Sequence, residues 1–245
     1  MEVDNMKVIV KDNYDEASLE AFKIMKEVVV NKPNAVLGLA TGSTPLGLYK
    51  NMIEDHKKNG TSYKNITTFN LDEYVGIDRN HPESYYTFMN KNLFSGLDIP
   101  AENVHLPYGD TKEDCDAYEK AMEHVQVDIQ LLGIGGNGHI GFNEPGTSFD
   151  ETTHIVELQE RTRKDNARFF DNDINQVPTH AITMGIATIM KASKVLLIAT
   201  GENKADAVKA MIEGPRDTSC PASALQAHKD VVVILDKAAA SKLTK

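Results

Sequence analysis

A chain of 245 residues, 41% of them hydrophobic and with no low-complexity tract, has the apolar content for one substantial core and is neither a disordered chain nor a repeat array. A formal net charge of −10 opposes non-specific attachment to nucleic acid or an anionic membrane, and no apolar run reaches the roughly 18 residues of a membrane span, so no nucleic-acid or membrane partner is expected. The two cysteines, Cys115 and Cys220, are far apart and in no metal-ligand spacing, and MEVDNMKVIV carries acids where an export signal carries Lys or Arg, which together point to the cytoplasm with no disulfide framework or zinc site.

KVIV (7–10) reads as the first strand, followed by a helix over 15–31 with Asp15 as its cap and Phe22, Met25 and Val29 along one face. AVLGLA (35–40) is a second, wholly apolar strand, and it runs into TGSTP, where Thr44 suits an N-cap and Pro45 the first position of a helix over 45–58. The amides of Gly42, Ser43 and Thr44 at a positive helix end, with two hydroxyls beside them, form a cradle for a phosphate dianion. A capped helix after a tight turn accounts for the same letters. ITTFNL (66–71) is the third strand and ends in Asp72-Glu73-Tyr74. Successive side chains of an extended segment point opposite ways, so only one of the two carboxylates faces a site, and helix-capping or surface acids are the plain alternative. Helices over 82–94 and 113–125 follow.

DIQLLG (128–133) leads into GIGGNGHIGFNEP (133–145), which sets His139 and Glu144 in a glycine-rich turn. The five glycines permit positive φ and close approach of a ligand, and His and Glu are well suited to moving protons near neutral pH. Gly133, Gly135 and Gly138 match a dinucleotide-binding fingerprint, but Gly141, Pro145 and Gly146 interrupt the helix that such a site requires. Beyond lie HIVEL (154–158), a helix over 160–170, HAITM (180–184), KVLLIA (194–199), a helix over 203–213 and VVVIL (231–235). The 160–170 helix carries Arg161, Arg163 and Arg168, any of which could serve as an anion ligand. Lys204 falls in the first turn of its helix, where a cation is disfavoured by the macrodipole unless an anion is bound. Apolar strands alternating with amphipathic helices predict an α/β fold with a mostly parallel sheet covered on both faces, and ligands in such folds collect at the carboxyl ends of the strands.

Read together, TGSTP, LDEYVG, GIGGNGHIGFNEP, ARFFDN and GENKADAV resemble the glucosamine-6-phosphate deaminases in order and spacing over essentially the whole chain. The resemblance implies a single Rossmann-like domain, with a candidate lid within 160–185, that converts glucosamine 6-phosphate and water to fructose 6-phosphate and ammonia with no cofactor or metal. Carried over, Asp72 resembles the base that moves the C2 proton, and His139 the group that opens the sugar ring, assisted by Glu144. Gly42, Ser43, Thr44, Arg168 and Lys204 match the phosphate-contacting positions. Asn137 stands in the triad that supports the ring-opening histidine, where many members carry Asp. Some members are hexamers activated by N-acetylglucosamine 6-phosphate; Thr153, His154 and Val156 occupy the stretch where these place basic residues, so activation is expected to be weak or absent. Monomer and homo-oligomer both remain open.

Two other functions fit parts of the pattern. A 6-phosphogluconolactonase shares the fold but usually has Asp-Glu-Arg in place of Asp72-Glu73-Tyr74 and lacks the Asn-Glu-Pro ending. A sugar-phosphate-sensing module of a transcription regulator calls for a basic helix-turn-helix segment, for which no room is expected before the first strand.

Overall fold

A computed structural model describes residues 2–3 and 5–244. Its first half runs β1 (Glu2–Val3), β2 (Met6–Lys11), α1 (Tyr14–Asn31), β3 (Val36–Leu39), α2 (Leu46–Asn59), β4 (Thr67–Asn70), β5 (Asp72–Tyr74), α3 (Tyr85–Asn92), β6 (Val104–His105) and α4 (Lys112–Met122). The second half runs β7 (Ile129–Leu132), β8 (His154–Glu157), α5 (Glu160–Asn166), β9 (His180–Thr183), α6 (Ile186–Ile189), β10 (Lys194–Ala199), α7 (Ala205–Glu213) and β11 (Val231–Asp236). No helix among the described residues is long and apolar enough to cross a membrane.

The main sheet has the order β1-β2-β11-β10-β7-β3-β4-β6, parallel throughout except for β1, which pairs antiparallel to β2. Every residue of β3 and β7 is buried, as expected of strands covered on both faces. HIVEL and HAITM are strands too, but they leave this sheet. With β5 they form a second, antiparallel sheet in the order β5-β9-β8. The reason is visible in β8, where His154, Ile155 and Val156 are half-buried and Glu157 exposed, a pattern suited to a sheet with one solvated face.

Local chemistry corrects several helix starts. Asn13, not Asp15, caps α1, its side chain accepting from the Glu16 amide at 2.9 Å, while Asp15 lies in the first turn where its charge still complements the helix end. Met25 and Val29 of that helix are buried and Phe22 packs against the same core. Thr44 does not cap α2: the helix begins at Leu46, Pro45 holds the cap position in helical geometry, and no side chain accepts from the first turn. Ser84 caps α3 two residues later than the predicted start, and the predicted 160–170 helix tightens into a 3₁₀ turn over Ala167–Phe169. The α1 cap has a measurable consequence. Asn13→Ala should cost about 1 kcal/mol and lower the melting temperature by about 2–4 °C for a chain of this size. An unchanged melting temperature would show that packing alone holds the start of α1.

Candidate active site

Strands β3 and β7 are neighbours, yet the chain leaves β3 toward β4 on one side while β10 flanks β7 on the other. At such a switch point the outgoing connections part and open a crevice at the carboxyl ends of the strands. The loops after β10, β7, β3 and β4, four adjacent strands, meet around it. A cavity of about 720 Å³ there is lined by Gly42, Ser43, Thr44, Asp72, His139, Arg168 and Lys204. Asn137 and Glu144 stand behind His139, outside the lining.

The loop after β3 is held by a residue that sequence reasoning missed. The Tyr14 hydroxyl, from the first turn of α1, lies 2.9 Å from the Ser43 carbonyl and 3.1 Å from the Thr44 carbonyl, and accepts from the Gly47 amide at 2.9 Å. Its single proton is shared between the two carbonyls. Gly42 has φ +96°, a conformation that favours glycine, and this turns the loop into the crevice. Because α2 starts only at Leu46, the amides of Gly42, Ser43 and Thr44 donate to no other described residue. They are donors in need of an acceptor.

Lys204 ends a 3₁₀ turn at the start of α7. It has no ion-pair partner among the described residues, and burial lowers the pKa of its ammonium. Of the three arginines, Arg163 is turned away, its guanidinium donating to the carbonyls of Ile174 at 2.9 Å and Val177 at 3.3 Å. Arg161 does not line the cavity. Arg168 does, with its guanidinium carbon 4.6 Å from the centre of the Phe169 ring.

The turn after β7 builds a directional chain of hydrogen bonds. Glu144 Oε2 accepts from Asn137 Nδ2 at 2.8 Å, which fixes the Asn137 amide so that its Oδ1 faces His139 Nδ1 at 2.8 Å. An amide oxygen only accepts, so Nδ1 carries the proton and Nε2 of the neutral ring is left as a base. A Cβ on Gly135 would lie 2.0 Å from the His139 ring, so only glycine admits the imidazole here. Burial lowers the pKa of His139, Glu144 opposes the shift and Lys204 adds to it.

Asp72 and Glu73 separate as the extended backbone requires: Asp72 lines the cavity and Glu73 points away from it. Asp72 is 7% exposed, and burial, reinforced by the Glu73 charge, pushes its carboxyl up to about 8. Tyr74, Tyr85 and Phe142 complete one wall, with Asn166 Nδ2 donating to the Tyr74 hydroxyl at 2.9 Å. Nothing in their spacing separates these aromatics from ordinary core residues.

Residues 11–234 match the family described as glucosamine-6-phosphate isomerases/6-phosphogluconolactonase. The chain is 51% identical to a glucosamine-6-phosphate deaminase of Halalkalibacterium halodurans, over 97% of this chain and 98% of that one. It is 50% identical to a glucosamine-6-phosphate deaminase of Shewanella woodyi, over 98% and 92%. A solved monomeric glucosamine-6-phosphate deaminase superposes with a TM-score of 0.92 at 46% identity, covering 96% of this chain and 99% of its own. The 6-phosphogluconolactonase of Trypanosoma cruzi, with a TM-score of 0.80, 23% identity and coverage of 100% and 99%, shares the fold.

Glu144→Gln should lower the pKa of His139 further, because the negative charge that opposes burial and Lys204 is removed while the burial remains. A proton NMR titration of the His139 ring reads this directly. A ring that titrates as in the unmodified protein would show that Glu144 does not act on it.

Proposed function

The chain belongs to the glucosamine-6-phosphate isomerase/6-phosphogluconolactonase family, and we propose that it works as a deaminase, converting glucosamine 6-phosphate and water to fructose 6-phosphate and ammonia. The observation that carries this reading is the gathering of a protonatable carboxyl, a histidine with a free Nε2 and an anion cradle around one cavity.

The three unpaired amides, the Ser43 and Thr44 hydroxyls, Lys204 and Arg168 hold the 6-phosphate, each charged donor contributing about 1.5–3 kcal/mol. His139 Nε2 takes the C1 hydroxyl proton and returns one to the ring oxygen, opening the sugar to its aldehyde. The carbonyl acidifies C2. Asp72, as carboxylate, removes the C2 proton and leaves an enolamine, then delivers the proton to C1. The resulting C2 imine adds water and releases ammonia. No step in this sequence calls for a metal or an electron sink, and the aromatic wall and the 160–185 segment serve to keep bulk water from the enolamine.

The environment of the carboxyl sets the pH dependence. With Asp72 at about 8 in the free protein and His139 below its ordinary value, kcat/KM should rise with pH through the Asp72 value, because the base must be deprotonated while the histidine is already neutral. Asp72→Asn should lower turnover by about 10²–10⁴-fold and slow solvent-deuterium exchange at C2 of recovered substrate with it. Ammonia release close to the unmodified rate would make Asp72 a structural acid. Lys204→Ala should raise KM about tenfold or more with a smaller change in kcat; an unchanged KM would move the phosphate elsewhere.

Activation by N-acetylglucosamine 6-phosphate is expected to be weak or absent. Thr153 donates to Glu119 of α4 at 2.8 Å and His154 Nδ1 faces the Thr152 carbonyl at 2.7 Å, so Thr153, His154 and Val156 supply no lysine or arginine to an anionic effector. Saturation should be hyperbolic with and without the effector. A sigmoidal curve that straightens on its addition would overturn this.

A further inference from the structure

Glu73, the second carboxylate of β5, has no part in the proton transfers above, yet it is 1% exposed. Its Oε1 accepts from the amides of Tyr74 at 2.9 Å and Tyr85 at 3.0 Å, and its Oε2 from the amide of Tyr86 at 3.1 Å. Tyr85 and Tyr86 open α3, where the first amides have no acceptor within the helix, and Ser84 already takes the Thr87 amide at 3.0 Å. Glu73 is therefore a second cap, delivered from another element. It ties β5 to the start of α3.

The tie has two effects on the cavity. Adjacent side chains on an extended strand point opposite ways, so fixing Glu73 against α3 fixes Asp72 toward the cavity. The same bond at Tyr85 sets the position of that ring in the cavity wall. We propose that Glu73 is a positioning residue for Asp72: by locking β5 to the first turn of α3, it holds the proton-transferring carboxyl and the Tyr85 ring in one arrangement. This rests on the reading of Asp72 as the base that moves the C2 proton.

A role limited to folding and a role in positioning separate through pH. The titratable groups that act on Asp72 or respond to it are Glu73 and Tyr74 on its own strand, Tyr85 of α3 and Tyr118 of α4. The three phenols are raised by burial and stay neutral around pH 7. Burial raises the pKa of Glu73, three backbone amides and Arg79 oppose that shift, and the Glu73 charge acts on Asp72. Removing that charge removes one cause of the raised Asp72 value, so the acid limb of kcat/KM must move to lower pH.

Three variants of the full chain, Glu73→Gln, Glu73→Asp and Asp72→Asn, would be assayed for ammonia release across pH and for thermal melting. In Glu73→Gln the new NH₂ opposes one of the backbone amides, and kcat should fall about 10–100-fold with KM within about threefold of the unmodified value, the acid limb moving to lower pH. Glu73→Asp keeps the charge but withdraws it from α3, so kcat should fall while the limb stays in place. A Glu73→Gln protein with unmodified kcat, or with lower kcat and melting temperature but an unmoved limb, would overturn the proposal. Should Glu73→Gln not fold, unmodified kcat in Glu73→Asp would overturn it. An active Asp72→Asn would instead remove the reading beneath it, whereas an inactive Asp72→Asn beside unaffected Glu73 variants would sink the positioning role alone.

Discussion

The parting of the chain between β3 and β7 is the constraint on which the rest depends. Parallel strands require crossovers, and crossovers that leave two neighbouring strands in opposite directions cannot fill the space above their carboxyl ends. The four loops around that space come from sequence positions as far apart as Gly42 and Lys204 and meet without any of them spanning the site alone. The small antiparallel sheet follows from the same geometry. It begins where the chain leaves β4, so that a strand of three residues can hold a carboxyl at the rim.

Electrostatics in the crevice run against those of the chain as a whole. The formal charge is −10, but the end of the cavity beyond β3 and β10 offers unpaired amides, Lys204 and Arg168. Lys204 also depresses His139, so an anion that neutralises the ammonium relieves the imidazole. An anion bound beside Lys204 thereby makes the His139 imidazole a stronger base. Asn137 sets a complementary limit. Its amide transmits orientation from Glu144 to His139 but holds no charge of its own against the ring.

How legible the fold was depended on how each element pays for its burial. KVLLIA and VVVIL are continuously apolar, and a parallel strand is the natural place for them. Asp72-Glu73-Tyr74 carries two residues disfavoured in strands, and β5 exists because Thr183, Ile182 and Ala181 of β9 pair with it, a tertiary fact with no local trace. Pro45 suits the first position of a helix, but the helix starts one residue on, leaving the loop amides unspent. Among the arginines, helical spacing could not tell Arg163 from Arg168, since the difference lies in the turn at residues 167–169 that ends α5. Of the candidate site, the Asp72-Glu73 pair and the residues on glycine-rich or proline-marked loops were visible as candidates; Tyr14, at the start of a helix, and the tie that Glu73 makes to α3 were not.

The Tyr14 hydroxyl joins the first helix to the loop after β3. A ligand that binds only when that loop is in place must, by reciprocity, make the helix harder to detach. Amide hydrogen exchange in α1 should therefore slow when the cavity is occupied, although the residues that slow lie outside the cavity. In this chain the occupancy of the crevice is written into the local stability of the helix that follows β2, and a substitution anywhere along the packed face of that helix can weaken affinity without touching the ligand.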